Sequence, residues 1–311
     1  MGSPDPLEEL LATQGVVVLD GGLATELEAR GHDLSDALWS ARLLLDAPEA
    51  IRDVHASYLE AGADCVVSGS YQATMEGFRR RGVGGEEARR LLVSSVDLAR
   101  EARDAFWRKA PEGRLRPLVA ASVGPYGAIL ADGSEYVGDY ALDEAGLLEF
   151  HRERFALLAA AGADVLACET LPSRVEARVL LHLLDETPGV KAWFSFTARD
   201  ADHLSDGTTI AEVARELDHD RVVGIGVNCV PPVLVPRLLG ELSQATRRPL
   251  VVYPNSGEVW NASLRAWQGA PDGSRPEETC TSWRAAGAVF LGGCCRVGPD
   301  SIARMRRCLL R

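Results

Sequence analysis

Short runs of consecutive apolar residues alternate along this chain with longer segments in which leucine, alanine and valine recur every three or four positions among arginine and glutamate. The short runs lie at 16–20, 65–68, 118–122, 165–169, 192–196, 222–228, 250–253 and 288–291. They lack a polar face, so they read as strands of a parallel sheet covered by helices on both sides. Eight strand-then-helix units in 311 residues predict an α/β fold, a (β/α)8 TIM barrel forming a single domain over 1–311. A doubly wound open sheet is the alternative. It is disfavoured because Gly21-Gly22, after the first run, does not extend into a G-x-G-x-x-G fingerprint.

The helical segments carry their own punctuation. Pro48 falls in the first turn of a helix whose apolar face includes Val54, Tyr58 and Leu59 and which ends at Gly62. The Ala-Gly-Ala ending at 61–63 recurs at 161–163 and 286–288, each time just before a predicted strand. Gly62, Gly162 and Gly287 are therefore expected to terminate helices. Long loops follow strands one, three and seven, at 21–40, 124–142 and 254–278. Barrel active sites are built from the loops of that face.

Composition narrows the function. The net charge of -12 and a pI near 5.1 argue against nucleic acid as a partner, which needs a basic footprint. No apolar run approaches the ~20 residues that cross a bilayer, and Met1-Gly2-Ser3-Pro4-Asp5-Pro6 lacks the basic and apolar regions of a signal peptide. A cytoplasmic, membrane-free protein is expected. Its seven cysteines, at 65, 168, 229, 280, 294, 295 and 308, are odd in number and sit mostly in or beside apolar runs, unlike a secreted disulfide framework.

Polar groups gather where the predicted strands finish: Asp20-Gly21-Gly22, Ser68-Gly69-Ser70-Tyr71-Gln72, Ser122, Glu169-Thr170, Asn228-Cys229, Asn255-Ser256-Gly257-Glu258 and Cys294-Cys295. In a barrel these share one mouth. Three cysteinates, Cys229, Cys294 and Cys295, would make a tetrahedral zinc site with its fourth position open; the competing reading is that adjacent cysteines are small core residues. A carboxylate at the end of a buried strand costs several kcal/mol to desolvate unless paired, so Asp20 and Glu169 invite a cationic ligand. Helix capping or pairing with arginine is the alternative for each.

Absences also discriminate. Lysine occurs only at 109 and 191, neither at a predicted strand's C-terminal end, which excludes a Schiff-base aldolase. None of the six histidines falls at such a position, so histidine-ligated hydrolase barrels fit poorly. All-thiolate ligation makes zinc a weak Lewis acid toward water while leaving it thiophilic. Such a site suits activation of another thiol.

The ordered motifs Asp20-Gly21-Gly22-Leu23-Ala24-Thr25-Glu26-Leu27, Leu38-Trp39-Ser40-Ala41-Arg42, Ser70-Tyr71-Gln72-Ala73-Thr74, Ser122-Val123-Gly124-Pro125-Tyr126-Gly127, Glu169-Thr170-Leu171-Pro172-Ser173, His203-Leu204-Ser205-Asp206-Gly207, Val227-Asn228-Cys229, Tyr253-Pro254-Asn255-Ser256-Gly257-Glu258 and Gly292-Gly293-Cys294-Cys295-Arg296 resemble the homocysteine S-methyltransferases almost end to end. The likeness is strongest to the compact branch that uses S-methylmethionine or S-adenosylmethionine. It implies one Zn2+ per chain held by Cys229, Cys294 and Cys295, and a homocysteine thiolate that attacks the sulfonium methyl to give methionine. Asp20 and Glu169 would engage the homocysteine amino group, with Ser70 a candidate for its carboxylate. Gly21, Gly22, Asn228 and Asn255 complete the expected substrate site. Trp39, Tyr71 and Tyr126, in the mouth loops, are candidates to face the sulfonium cation.

Two relatives with the same zinc chemistry are rivals: the betaine-using branch, which carries a C-terminal extension beyond the point where this chain stops, and the selenocysteine methyltransferases. Cobalamin-dependent methionine synthases add folate and cobalamin domains for which 311 residues leave no room. A non-catalytic zinc or redox-sensing cysteine protein is the rival from another class, and it would need neither Asp20 nor Glu169. Donor preference and the choice between monomer and homo-oligomer are not legible in the sequence.

Overall fold

The computed structural model describes residues 5–34, 38–130, 132–261, 266–268 and 275–310. All eight apolar runs form strands: β1 (Val17–Val18), β2 (Cys65–Val67), β3 (Leu118–Val123), β4 (Val165–Leu171), β5 (Ala192–Phe196), β6 (Val222–Asn228), β7 (Leu250–Tyr253) and, after an antiparallel hairpin of β8 (Val259–Asn261) and β9 (Ala266–Gln268), β10 (Ala288–Leu291). Neighbours pair in parallel in the order β1-β10-β7-β6-β5-β4-β3-β2. A parallel bridge between Leu19 and Cys65, with the Asp20 N–H donating to the Cys65 carbonyl at 3.1 Å, joins the two ends of the sheet. The result is the predicted (β/α)8 barrel.

Alternation along the strands divides the core. Val18, Val66, Val119, Ala121, Leu166 and Cys168 pack against the surrounding helices, whereas Val17, Leu19, Cys65, Leu118, Ala120, Val165, Ala167, Trp193, Val251 and Phe290 fill the barrel interior. Leu7 and Leu10 of the helix Pro6–Gln14 join that interior cluster, so the first helix closes the N-terminal end of the barrel. Each large apolar side chain buried there contributes about 1.5–3 kcal/mol. Beside this floor the fully buried Asp64 accepts from Val18 N, Gln14 Nε2 and Arg306 Nη1 at 3.2, 3.1 and 2.7 Å.

Toward the mouth the inward positions turn polar: Ser122 on β3, Glu169 on β4, Ser195 on β5, Asn228 on β6 and Tyr253 on β7, all under 8 % exposed. The apolar layer below thus supports a polar layer above, which positions the site.

The expected helix terminators hold. Gly62, Gly162 and Gly287 have φ of 115°, 82° and 100° at helix ends, a conformation that favours glycine. The hairpin was not legible in the apolar pattern. Parts of the three long loops (35–37, 131, 262–265 and 269–274) and the first four residues of the N-terminal segment lie outside the described residues. Among the described residues, no helix is long and apolar enough to cross a membrane.

Candidate active site and metal centre

A cavity of about 500 Å3 opens at the C-terminal end of the barrel, and Asp20, Glu169, Asn228, Cys229, Cys294 and Cys295 all line it. The three sulfurs, drawn from the ends of β6 and β10, lie within 4.8 Å of one another. Cys294 and Cys295 are 3.9 Å apart, and Cys229 and Cys294 are joined as a disulfide with Cα atoms 5.6 Å apart. Tetrahedral zinc with Zn–S bonds of ~2.3 Å needs sulfurs roughly 3.8 Å apart. The set therefore fits zinc once the Cys229–Cys294 pair is reduced. Burial lifts the Cys295 thiol to about 12, with the charges of Glu28, Glu135 and Glu169 adding to the effect, so a bound cation is what would make it a thiolate.

Backbone close approach explains the glycines. A Cβ on Gly21 would fall 2.0 Å from the Val297 carbonyl oxygen, and one on Gly22 would fall 2.7 Å from that of Cys294. The first loop thus lies directly against the cysteine loop, fixed further by the Arg296 N–H donating to Thr25 Oγ1 at 2.9 Å. Gly21 and Gly22 line the cavity, and their small size is a packing requirement of the cysteine loop.

The two carboxyls line the same cavity as the cysteines. Asp20 accepts from the Val67 N–H at 2.9 Å; burial, reinforced by the nearby Glu169, holds its carboxyl well above the usual range. Glu169 accepts from the Ser122 hydroxyl and, at 2.9 Å, from the Tyr253 hydroxyl, and burial raises its pKa as well. An ammonium between them would offset the cost of both charges.

Behind Glu169 stands a network the sequence did not disclose. The Asn228 Oδ1 atom accepts from Thr170 N and Ser195 Oγ, both at 2.8 Å, while its Nδ2 donates to Thr170 Oγ1 at 2.7 Å. Thr170 and Cys229 both adopt positive φ, 58° and 50°, as do Trp39 and Arg296 at the same mouth. Strain of this kind costs on the order of 1–3 kcal/mol per residue and persists only where the surroundings over-determine it. On the other side, buried Arg154 donates to the carbonyls of Ser70, Tyr71 and Gly124 at 2.9, 2.7 and 2.9 Å, tying the loops after β2 and β3 together.

The remaining predicted residues divide. Trp39 and Tyr71 line the cavity. Tyr126 does not; its ring packs edge-on against Tyr140 and Phe150 at 5.4 and 5.0 Å. Ser70 is fully buried behind the wall, donating to the Ser122 carbonyl at 2.8 Å and meeting Ser68 Oγ at 2.7 Å, so its hydroxyl is engaged within the protein. Asn255 lies off the wall and accepts from the Gly257 N–H at 2.9 Å, shaping the loop against the cysteines. Thr170, expected at the mouth beside Glu169, is on the wall as well; residues not anticipated there include Glu28, His32, Glu135, Tyr136 and Tyr253. Tyr253 closes an apolar run as Glu169 does and carried the same signal. Glu135 and Tyr136 carried none, because they come from a loop without pattern.

A family model described as homocysteine S-methyltransferase matches residues 17–309. The Bacillus subtilis homocysteine S-methyltransferase YbgG is 49% identical over 302 residues, covering 96% of each chain. The Escherichia coli homocysteine methyltransferase MmuM, solved in a metallated form, superposes with a TM-score of 0.87 at 47% identity, covering 97% of this chain and 99% of that one. Its oxidized form gives 0.88 at 46% identity with the same coverage. With the cysteine triad, the carboxylate pair and the barrel in common view, the chain belongs to the homocysteine S-methyltransferase family.

Proposed function

We propose that this protein is a zinc-dependent enzyme that transfers a methyl group from a sulfonium donor, S-methylmethionine or S-adenosylmethionine, to the thiol of L-homocysteine, giving methionine. The observation that carries this reading is the convergence of three cysteine sulfurs and two buried, cation-seeking carboxyls in one cavity. Cys229, Cys294 and Cys295 would hold one zinc ion, which when bound supplies the charge that keeps a substrate thiol deprotonated at neutral pH. Asp20 and Glu169 hold the homocysteine ammonium and so orient its thiol toward the cysteines. Ser122 and Tyr253 keep the Glu169 carboxyl aimed at that ammonium.

The donor reading rests on the upper wall. Trp39, Tyr71 and Tyr136 offer aromatic faces, and Glu28 and Glu135 offer negative charge. Burial raises the Glu135 carboxyl to about 7, and its Oε2 atom is buried without a hydrogen-bond partner among the described residues. A sulfonium loses its charge as the methyl leaves, so a wall that neutralised it fully would favour the ground state over the transition state. Aromatic faces suit that centre, while the carboxyls suit the donor's ammonium, whose charge persists through the reaction. Betaine's single cation is the quaternary ammonium that carries the reacting methyl; it has no second ammonium for these carboxyls to hold, so the acidic wall favours the sulfonium amino acids over it.

The test is methionine formation by the purified, reduced, zinc-loaded protein with S-methylmethionine, S-adenosylmethionine and betaine offered separately. Turnover with a sulfonium and none with betaine is expected, and Cys295→Ala is expected to lose bound zinc. Turnover with betaine alone, or full activity without metal, defeats the reading.

A further inference from the structure

We infer that Asn228 is a positioning residue, whose carboxamide braces Thr170 in a left-handed backbone conformation and thereby sets the relation between Glu169 and Cys229. The inference rests on the reading of Cys229 as a metal ligand and Glu169 as an ammonium partner. Thr170 directly follows Glu169 on β4, and Cys229 directly follows Asn228 on β6. The two strands are separated by β5, yet Asn228 spans the gap: it binds Ser195 on β5 and both the backbone N–H and the hydroxyl of Thr170 on β4.

The chemistry of the pair is specific. A backbone N–H only donates, so its contact with Thr170 N fixes which end of the carboxamide is oxygen, and the amide end must then face Thr170 Oγ1. Both residues are at most 1 % exposed. A β-branched residue is an outlier at φ 58°, and this two-point grip is what opposes relaxation to an ordinary extended conformation. Relaxation would swing the end of β4, and with it the Glu169 carboxyl. Three of the four hydrogen bonds that a carboxamide can form are already taken within the protein. Asn228 thus acts on the substrate through its neighbours.

The test compares Asn228→Ala in two backgrounds, wild type and Thr170→Gly, because glycine takes positive φ without strain and makes the brace dispensable. Zinc affinity is read by chelator competition, and KM is read separately for homocysteine and for the donor. In the wild-type background Asn228→Ala is expected to weaken zinc binding and raise the homocysteine KM by about 10- to 100-fold, with the donor KM little changed. In the Thr170→Gly background the same substitution is expected to cost less than about 3-fold. Equal losses in both backgrounds, or no loss in either, overturn the brace. Should Asn228→Ala fail to fold, folding of the double variant supports the inference and its failure to fold overturns it. If the wild-type protein bound no zinc, the functional reading alone would fall. Unfolding midpoints of the four metal-free proteins then decide the brace, non-additive shifts supporting it and additive shifts overturning it.

Discussion

Tyr253, at the end of β7, donates its hydroxyl to Glu169 Oε2 on β4 at 2.9 Å, across the barrel interior and two intervening strands. Ser122 on β3 donates to the other oxygen, so the carboxyl is gripped from both sides of the barrel. A group held this way is aimed rather than merely buried.

Tyr253→Phe is therefore expected to spare the fold and impair homocysteine capture. A hydrogen bond to a charged group is worth about 1.5–3 kcal/mol, which corresponds to a roughly 10- to 100-fold loss in kcat/KM for homocysteine. Steady-state kinetics with metal analysis checks this, since bound zinc should be unchanged.

Asp20→Asn is expected to separate stability from function. Burial holds the Asp20 carboxyl well above its ordinary 3.8, so the folded state keeps a proton that the unfolded chain releases. Stability contributed by that proton is present at low pH and is lost as pH rises above 3.8 toward the folded-state value. The amide cannot ionise, so the variant should lose this decline while its homocysteine KM rises. Thermal unfolding across pH, without homocysteine, reads the first effect, and an undiminished slope would refute the assignment.

His55 gives the opposite slope. It is fully buried in the helix Pro48–Ala61, neither ring nitrogen has a partner among the described residues, and burial lowers its pKa to about 4. Below its ordinary 6.5 the unfolded chain takes up a proton that the folded state refuses, so stability falls as pH drops from 6.5 toward 4. The full span is about 3 kcal/mol. His55→Leu should flatten this acid limb in denaturant titrations at pH 7 and 4.5, and no change in the limb would count against it.

Asp64→Ala tests the floor of the barrel. Removing the carboxylate leaves Arg306 facing the emptied site and withdraws the acceptor from Val18 N, which should cost on the order of 3–5 kcal/mol. Catalysis belongs to the opposite face. Chemical denaturation should show the loss while the folded protein keeps its homocysteine KM.

Apolar periodicity was sufficient to locate all eight barrel strands, because burial on both faces leaves a continuous hydrophobic run whatever the neighbours are. Asp20, Glu169, Cys229, Cys294 and Cys295 were legible for a related reason: polar or reactive groups that close such runs must converge at one mouth. Only the tertiary structure decided which loop residues face that mouth. Tyr126, Ser70 and Asn255 share motifs with true wall residues, yet their orientation is set by Phe150, Ser122 and Gly257, contacts that no local pattern encodes. Glu135 reaches the cavity through a loop without period, and Asn228 meets Thr170 at a separation of 58 residues. The chain's own pattern determines what is buried and at which end chemistry collects; the partner of each buried polar group is fixed by closure of the barrel, because hydrogen bonding is directional and depends on strands distant in sequence.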